Sequence, residues 1–290
     1  MKIAYLILAH NNYNHLKRLV SALNDSNVVF FIHIDKKSKM PDTLHEFDNV
    51  VFIKREKVWW SGWSSVDATI RLIRNAIRYG FDYYILLSGA DYPIRPNSFL
   101  YKKLSTGGEY IEITQGFSEN KPEHRIKYYF FDCFERKNKR SVKTLFFKLL
   151  ERTMRLFFQK KSYPFQQIYH GSAWWALSHD CLMYVLDQID NNKGYVRFYQ
   201  TCMVPDESFF QTIIGNSPFF SKCKMDLTYA DWSSDPSPAL INQNQLEFLI
   251  KQIELNDSFA KQYFFARKFD DNSANLIALI EKELRNERIS

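Results

Sequence analysis

The sequence predicts an α/β protein with parallel strands in its central sheet. Short runs of consecutive apolar residues have the length of buried strands, and the segments between them repeat apolar residues at helical spacing. Over the first 94 residues these elements follow the order strand, helix, strand, strand, helix, strand, which is typical of α/β folds. Apolar residues make up 46% of the 290 residues, enough to bury a large core in one domain.

The first strand is predicted at residues 3–9, where "IAYLILA" is apolar throughout and polar residues follow at once. A secretion signal also has an apolar core, but this run is brief and no small-residue cleavage site follows it. We therefore expect a buried strand and a cytosolic protein. Residues 13–25 repeat leucine and valine at helical spacing and predict the first helix. Apolar runs at 28–35 and 50–54 predict the second and third strands.

The second helix is predicted at residues 64–80, with Ser64 as its N-cap and Gly80 as its stop. Residues 81–94, "FDYYILLSGADYPI", predict a fourth strand whose polar end carries an acid and a proline. Ligands of parallel sheets bind beyond the carboxyl ends of the strands. The segments "AHNN", "HIDKK" and "SGADYP" are therefore predicted to line one cleft.

Between residues 115 and 165 the chain becomes basic and aromatic. In "SVKTLFFKLLERTMRLFFQKK", residues 141–161, apolar residues recur at helical spacing with lysine and arginine between them. Two interpretations are open: a helix lying on an anionic membrane surface, or a helix packed on the domain with a solvated basic face. The sequence alone favours the second. A helical tail containing "FFARKFDD" is expected near the end of the chain.

Charge and cysteine content limit the classes of function. The net charge of +7 suits anionic partners such as nucleotide phosphates, nucleic acid or acidic lipid. The four cysteines are widely spaced without a C-x-x-C pair, which argues against a zinc site and a disulfide framework. The sequence contains no G-x-G-x-x-G, Walker A or G-x-S-x-G motif. Because it also contains no nucleic-acid recognition motif, we expect no nucleic-acid partner.

The segment "VPDESFFQTIIGNSP", residues 204–218, places two carboxylates, Asp206 and Glu207, before a helix-like run. One interpretation is helix capping, since Asp accepts backbone N–H groups and Glu suits the positive end of the helix dipole. The other is that one of these acids takes a proton from a substrate. The segment alone does not decide between them.

Eight motifs in order resemble glycosyltransferase family 14, which contains the branching β-1,6-N-acetylglucosaminyltransferases and the peptide O-xylosyltransferases. They are "AYLILAH", "VVFFIHIDKKS", "WWSGWSSVDA", "FDYYILLSGADYPIRP", "HGSAWWALSHD", "VPDESFFQTIIGNSP", "YADWSSDPSP" and "FFARKF". The resemblance runs from residue 3 to about residue 270. The segment "ESFFQTIIGNSP", followed by "ADW" and "FFARKF", is more similar to the xylosyltransferase branch.

The resemblance implies a GT-A-type nucleotide-sugar-binding fold, with a mixed central sheet flanked by helices. It also implies a UDP-sugar donor, inversion at the anomeric carbon, and neither a metal nor a cofactor. The absence of a D-x-D motif agrees with this, because Arg and Lys can neutralise a leaving diphosphate in place of a metal. We expect one domain over residues 1–290. Residues 1–110 form its nucleotide-binding half, and residues 111–290 carry the acceptor side, the base and the diphosphate-binding segment.

Matched by motif, Glu207 takes the position of the family's catalytic base, and Asp206 remains a helix cap. The residues assigned to donor binding are His10, Asp35, Lys37, Ser64, Asp91, Arg267 and Lys268. The residues assigned to acceptor binding are Arg125, Trp174, Trp175 and Trp232. One ring of the Trp174–Trp175 pair is expected to be core packing and the other to face a sugar.

The chain also departs from the family pattern. Ser61-Gly62 replaces the usual two glycines, and the disulfide-forming cysteines and membrane anchor of the animal enzymes have no counterparts. These features favour a microbial enzyme of the cytoplasm, associated peripherally with the inner face of the membrane if the basic helix binds lipid.

The leading hypothesis is an inverting transfer of GlcNAc or xylose from a UDP-sugar to a glycan or lipid-linked glycan, in surface polysaccharide or glycolipid synthesis. The alternative is a catalytically inactive sugar- or nucleic-acid-binding protein of the same fold.

Overall fold

The computed structural model describes residues 1–133, 140–159, 162–232, 238–255 and 262–286. The strands in these ranges are β1 Ile3–Ala9, β2 Val28–Ile34, β3 Val50–Phe52, β4 Tyr83–Ser88, β5 Asp91–Pro93, β6 Glu109–Ile111, β7 Thr114–Gln115, β8 Tyr169–His170, β9 Trp175–Ser178, β10 Cys223–Lys224, β11 Thr228–Ala230 and β12 Phe265–Arg267. The α-helices are α1 Tyr13–Leu23, α2 Trp63–Ala76, α3 Asn97–Ser105, α4 His124–Lys127, α5 Val142–Phe157, α6 His179–Asn191, α7 Lys193–Tyr199, α8 Phe209–Gly215, α9 Gln243–Glu254 and α10 Ala274–Ile280.

A seven-stranded mixed sheet forms the centre of the molecule, in the order β10-β6-β9-β4-β1-β2-β3. β1 pairs in parallel with both β2 and β4, as the strand–helix–strand order predicts. β9 runs antiparallel to β4 and β6. The α/β class with a mixed central sheet flanked by helices is therefore confirmed, and the sheet takes strands from both the 1–110 and the 111–290 segments.

The core lies on both faces of this sheet. In β1, Ile3, Tyr5 and Ile7 contribute to one apolar cluster, while Ala4 and Leu6 contribute to the other. Side chains of a strand alternate between faces, so a strand covered on both sides must be apolar at every position. Helices α1 and α9 cover the first face, and α2 and α6 cover the second.

The second helix begins at Trp63, and its N-cap is Gly62. The prediction that Ser64 caps it is wrong: Ser64 lies inside the first turn, and its hydroxyl accepts a hydrogen bond from the Trp59 N–H at 2.7 Å. The helix continues as a 3-10 turn to Tyr79 and stops at Gly80, whose φ is +65°. The predicted glycine stop is confirmed, because this left-handed conformation suits glycine.

The predicted fourth strand is two strands in different sheets. β4 ends at Ser88, and the chain turns through Gly89 and enters β5, which belongs to a three-stranded sheet in the order β11-β12-β5. A Cβ at Gly89 would lie 2.8 Å from the Cβ of Ala9, so the turn passes close to the end of β1. The middle of the segment "FFARKF", Phe265–Arg267, forms β12 of this sheet. The predicted helical conformation of this segment is wrong.

Helix α5 packs on the domain, but not in the orientation that the sequence favours. Its buried residues are the polar Thr144 and Glu151, whereas Leu149 and Leu156 are 65% and 77% exposed. The prediction of a packed apolar face opposite a solvated basic face is therefore wrong. Lys160 and Lys161, which end the predicted segment, lie outside the described residues. Within the described ranges, no helix has the length and apolar character needed to cross a bilayer.

Candidate active site

The carboxyl ends of β1, β2 and β4 lie side by side. The Asp35 N–H donates to the Ala9 carbonyl at 2.9 Å, and the Gly89 N–H donates to the Leu8 carbonyl at 2.9 Å. This arrangement follows from parallel pairing in a continuous register. It brings His10, which is exposed, to the same edge of the sheet as Asp35, as the strand-end argument predicts.

Asp35 is held in a fixed orientation just after β2. Its Oδ1 accepts the Lys37 N–H at 2.9 Å and the Val58 N–H at 3.4 Å, and its Oδ2 lies 3.5 Å from the Lys37 Nζ. The Lys37 ammonium also lies 4.3 Å from the centre of the Trp59 ring. The structure thus brings two predicted donor residues together, with an aromatic ring beside them.

Asp91 and Arg267 are placed opposite each other by the antiparallel pairing of β5 and β12. The Arg267 Nε lies 3.4 Å from the Asp91 Oδ1, and the Asp91 side chain is 0% exposed. Its Oδ2 accepts the Ser88 N–H at 2.8 Å. The prediction that Asp91 contacts hydroxyl groups of the donor is therefore wrong, because its side chain does not reach the surface. Asp91 acts inside the protein, where it orients Arg267.

The Arg267 guanidinium stacks on Trp174, with 4.1 Å between its central carbon and the ring centre. Burial lowers the pKa of Arg267, and the charges of Asp91, Asp206 and Asp226 oppose that effect. Burial also raises the pKa of Asp91 to about 6, against the charge of Arg267. Arg267, 12% exposed, is thus paired with Asp91 and feels the charges of two further carboxyl groups.

Glu207 and Arg125 form an ion pair, with 2.8 Å between the Oε2 and the Nη1. Their side chains are 25% and 23% exposed, so the carboxylate is both oriented and reachable. Glu207 ends the 3-10 turn Pro205–Glu207, and its carbonyl accepts the Gly171 N–H at 2.9 Å. A carboxylate held in this way can accept a proton from a bound hydroxyl group.

Asp206 does not cap a helix, so that prediction is wrong. Neither the 3-10 turn that contains it nor the following helix α8 has a side-chain cap. The Asp206 Oδ1 is buried and has no hydrogen-bond partner among the described residues. Burial raises the pKa of Asp206 to about 7, and the adjacent charge of Glu207 adds to this effect, while Arg125 and Arg267 lower it. Asp206 therefore interacts electrostatically with the Glu207–Arg125 pair and with Arg267, the partner of Asp91.

Asp226 is a site residue that the sequence analysis missed. It is 7% exposed, and burial raises its pKa to about 7, against a hydrogen bond with Ser172 and the charges of Lys121 and Arg267. Its sequence signal is a lone acid in front of a short apolar strand, in "KMDLTYA". That pattern is common at strand ends, where it usually marks a turn.

The loop that carries Trp174 is tightly constrained at Gly171. A Cβ there would lie 1.7 Å from the Glu112 carbonyl oxygen, so a larger residue does not fit. The Lys121 Nζ donates to the Gly171 carbonyl at 2.5 Å, and the Gln211 amide donates to the Ser172 carbonyl at 2.6 Å. These contacts fix the position of Trp174 relative to Glu207.

The remaining predicted residues divide into exposed and buried groups. Trp232 is 63% exposed, and Lys268 is partly exposed directly after β12. Trp175 is 2% exposed and lies in the core against Phe210, 5.7 Å between ring centres. The acceptor-binding assignment of Trp175 is therefore wrong, and the expectation that one ring of the pair is core packing is confirmed.

Two residues with strained backbones join the loop before helix α2 to the turn that carries Glu207. Ser61 and Val204 have φ values of +63° and +52°, in the left-handed region that side chains with a Cβ disfavour. The Val204 N–H donates to the Ser61 carbonyl at 2.8 Å. Ser64 lies nearby, where its N–H donates to the Asp132 Oδ2 at 2.5 Å. Its hydroxyl accepts the Trp59 N–H, so Ser64 holds the loop whose Val58 N–H bonds Asp35.

Among the described residues, no group of three or more His, Cys, Asp or Glu side chains is arranged to hold a metal ion. Residues 233–237 of the predicted motif "YADWSSDPSP" lie outside the described residues.

Comparison with known proteins identifies the family. A family model described as Core-2/I-branching enzyme matches residues 3–253. The chain belongs to this family. The match covers every strand from β1 to β11 and both carboxylates, Asp206 and Glu207. The Core-2/I-branching enzymes are glycosyltransferases, so the predicted resemblance to glycosyltransferase family 14 is confirmed.

Curated relatives of this family member are xylosyltransferases. The chain is 27% identical over 230 residues to xylosyltransferase 2 of Canis lupus familiaris, covering 75% of this chain and 25% of the relative. It is 28% identical over 232 residues to xylosyltransferase 2 of Homo sapiens, with the same coverage. Xylosyltransferase sqv-6 of Caenorhabditis elegans is 23% identical over 298 residues, covering 93% and 35%. The chain thus spans about a quarter to a third of the length of these relatives.

Proposed function

We propose that this family member is an inverting glycosyltransferase that uses a UDP-sugar donor and Glu207 as its general base, on a GT-A-type fold. The observation that carries the proposal is the ion pair of Glu207 with Arg125, which orients a carboxylate that is still 25% exposed. The buried cation Arg267 and the strand-end residues Asp35 and Lys37 support a donor site next to it.

In this reaction the acceptor hydroxyl oxygen attacks the anomeric carbon on the side opposite the diphosphate. Glu207 takes the hydroxyl proton as the new C–O bond forms, and the bond to the diphosphate breaks with its electron pair leaving on UDP. A single displacement converts an α-linked donor into a β-linked product. Trp174 and Trp232 are the aromatic surfaces available to the sugars, since aromatic faces pack on the C–H faces of sugar rings.

The two neighbouring cations Arg267, which ends β12, and Lys268, which follows it, receive different roles. Arg267 pairs with Asp91, the charges of Asp206 and Asp226 further offset its own, and it stacks on Trp174. We therefore assign Arg267 to positioning the Trp174 loop. Lys268 follows it and is partly exposed, so we assign Lys268 to the developing charge of the leaving diphosphate. This charge neutralisation needs no metal ion.

The donor sugar is GlcNAc or xylose, and the names of the curated relatives favour xylose. The proposed acceptor is a glycan or lipid-linked glycan at the cytoplasmic face of the membrane, in the synthesis of a surface polysaccharide or glycolipid. The test is UDP release with a panel of UDP-sugars, in the presence and absence of glycan acceptors. Turnover with UDP-xylose or UDP-GlcNAc supports the proposal. No turnover with any donor would favour the alternative, an inactive sugar- or nucleic-acid-binding protein.

Metal independence has a separate test on the same reaction. We expect UDP release to be unchanged by excess EDTA, because the proposed leaving-group stabilisation comes from Lys268. An enzyme that EDTA inactivates and manganese restores would contradict this part of the proposal while leaving sugar transfer itself intact.

A further inference from the structure

Helix α5 presents an apolar stripe to the outside of the molecule. An amphipathic helix of a globular protein normally buries its apolar face, but here Thr144 and Glu151 are the buried residues. The exposed apolar residues are Val142 (83%), Leu145 (56%), Phe146 (60%), Leu149 (65%), Leu156 (77%) and Phe157 (75%). Their spacing places them on one side of the helix, since 3.6 residues complete a turn. The stripe runs the length of α5.

Specific polar contacts fix this orientation. The Glu151 Oε1 accepts the Phe131 N–H at 2.9 Å. The Arg155 guanidinium lies 4.9 Å from the centre of the Phe130 ring and 5.6 Å from that of Tyr128. Rotating the helix to bury Leu149 would move Glu151 and Arg155 to the surface. The Phe131 N–H would then lose its acceptor, and Arg155 would lose its contacts with the two aromatic rings. These contacts therefore determine which side of α5 faces outward.

Positive charges flank the stripe on both sides. At 100° per residue, Lys143 lies along one edge, and Lys148 and Arg152 lie along the other. All three are exposed. The acid of this helix, Glu151, is 3% exposed, so the charge that α5 presents to its surroundings is positive.

We propose that α5 is a docking surface for an anionic lipid bilayer. The helix would lie in the plane of the interface, with its apolar stripe at the boundary of the acyl chains and its Lys and Arg side chains at the lipid phosphates. Lys and Arg suit this edge because their stems are apolar and their heads remain in the polar layer. A second copy of the chain is disfavoured as the occupant, because it would bring the basic edges of two molecules with net charge +7 together.

The helix is anchored on the segment that holds the candidate base. The Phe130 N–H donates to the Thr201 carbonyl at 2.9 Å, and the Met203 N–H donates to the Arg125 carbonyl at 2.8 Å. Docking through α5 would therefore hold the Glu207–Arg125 pair close to the membrane surface. Presentation of a lipid-linked acceptor is the consequence that rests on the proposed function; lipid binding itself does not.

The experiment is co-sedimentation of the whole protein with vesicles. Phosphatidylcholine vesicles containing about one third phosphatidylglycerol are compared with pure phosphatidylcholine vesicles, at about 0.05 M and about 0.5 M salt. Binding is expected with the anionic vesicles at low salt, with a loss of at least about tenfold at high salt.

Variants of exposed residues assign the surface. Leu145→Ser with Leu149→Ser is expected to weaken binding by about tenfold or more per side chain. Leu255→Ser is the matched control, because Leu255 is also 65% exposed but follows helix α9. Lys148→Gln with Arg152→Gln is expected to weaken binding by about fivefold per charge. Its control is Lys102→Gln with Arg78→Gln, which removes two exposed charges outside α5.

Loss of binding in the α5 variants, with both controls unchanged, supports the proposal. Equal binding to both vesicle types, no binding at low salt, or full binding by the α5 variants would overturn it. A dimer in solution that Leu145→Ser with Leu149→Ser dissociates, without vesicle binding by the parent protein, would assign the stripe to a second copy instead. UDP release with a soluble acceptor, measured on the same variants, tests the proposed function separately.

Discussion

Asp206 and Glu207 are neighbours in the chain but lie in different environments. Glu207 is a quarter exposed and bound to Arg125, whereas the Asp206 Oδ1 is buried without a hydrogen-bond partner among the described residues. Two neighbouring carboxylates in such different surroundings can serve two roles. Glu207, whose carboxylate is reachable, is suited to exchange protons with a substrate, and Asp206, whose Oδ1 is buried, is suited to offset the charges of Arg125 and Arg267.

Glu207→Gln is expected to lower turnover by about 10²–10⁴-fold, with UDP-sugar affinity nearly unchanged, because an amide cannot accept the acceptor's proton. The amide oxygen can still accept from Arg125, so the fold of the loop should be retained. Turnover and donor affinity are measured separately, by UDP release and by calorimetry.

Asp206→Asn is the control for this experiment. The pKa of Asp206 is raised to about 7, so the neutral amide resembles a protonation state that the folded protein already populates near neutral pH. Turnover is therefore expected to change little. If Asp206→Asn were inactive and Glu207→Gln fully active, the base would be the other carboxylate.

Ser61 has a backbone conformation that suits glycine better than serine. Its φ of +63° is disfavoured for residues with a Cβ, and its buried hydroxyl has no hydrogen-bond partner among the described residues. Ser61→Gly is therefore expected to raise the free energy of unfolding by about 1 kcal/mol, measured by chemical denaturation. Ser65→Gly, inside helix α2, should lower it by about 0.5–1 kcal/mol. A loss of stability in Ser61→Gly would show that the left-handed conformation is not strained.

For single residues, the sequence predicts which side chains lie near the site better than it predicts which of them are buried. Asp35 and Lys37 could be placed at the cleft because the end of a strand is a local feature, whereas the choice of Glu207 over Asp206 came from the family resemblance. The burial of Asp91 could not, because it depends on β12, whose residues lie more than 170 positions away in the chain. Trp174 and Trp175 are adjacent, and only the pairing of β9 decides which ring enters the core.

At the scale of elements, the loop before β9 depends on one glycine. Gly171→Ala would place a Cβ 1.7 Å from the Glu112 carbonyl oxygen, and neither backbone can yield without moving Trp174. We expect the free energy of unfolding to fall by at least about 3 kcal/mol, together with loss of turnover. Gly194→Ala is the control: its nearest neighbour would be the Pro164 Cβ at 3.7 Å, and alanine favours helix α7. Equal stability of the two variants would contradict the close approach at Gly171.

Strands β1 and β2 were predictable because buried parallel strands are apolar at almost every position. β3 is an edge strand whose residues are only partly buried, and its apolar run alone indicated it. The sequence of β12 was misleading. "FFARKF" has two charges that suit a helix surface, and its strand conformation results from pairing with β5 and β11. The orientation of α5 was missed for a related reason: its periodicity identifies a helix with an apolar side, but the contact of Glu151 with the Phe131 N–H determines which side faces the domain.

For the whole molecule, buried titratable groups make stability depend on pH in two opposing ways. Burial raises the pKa of Asp226 and Asp206 to about 7, so the folded state keeps protons that the unfolded chain loses, and stability falls as pH rises from about 4 to about 7. Burial lowers the pKa of His15 and His170 to about 4. The unfolded chain then binds protons that the folded state does not, and stability falls as pH decreases through the same window.

The overall profile therefore combines opposite slopes, and a single substitution is needed to separate them. Asp226→Asn removes one carboxyl group and retains a side chain that can bond Ser172. At pH 4 the variant and the parent should have similar free energies of unfolding, because Asp226 is then protonated in the folded state. At pH 7.5 the Asp226 carboxyl group of the parent is ionised in the unfolded chain, whereas the folded protein resists its ionisation. The free energy of unfolding of the variant should therefore be higher than that of the parent by about 2–4 kcal/mol. Denaturant unfolding at both pH values measures this difference, and a difference that stays constant would mean that Asp226 ionises in the folded protein as it does in the unfolded chain.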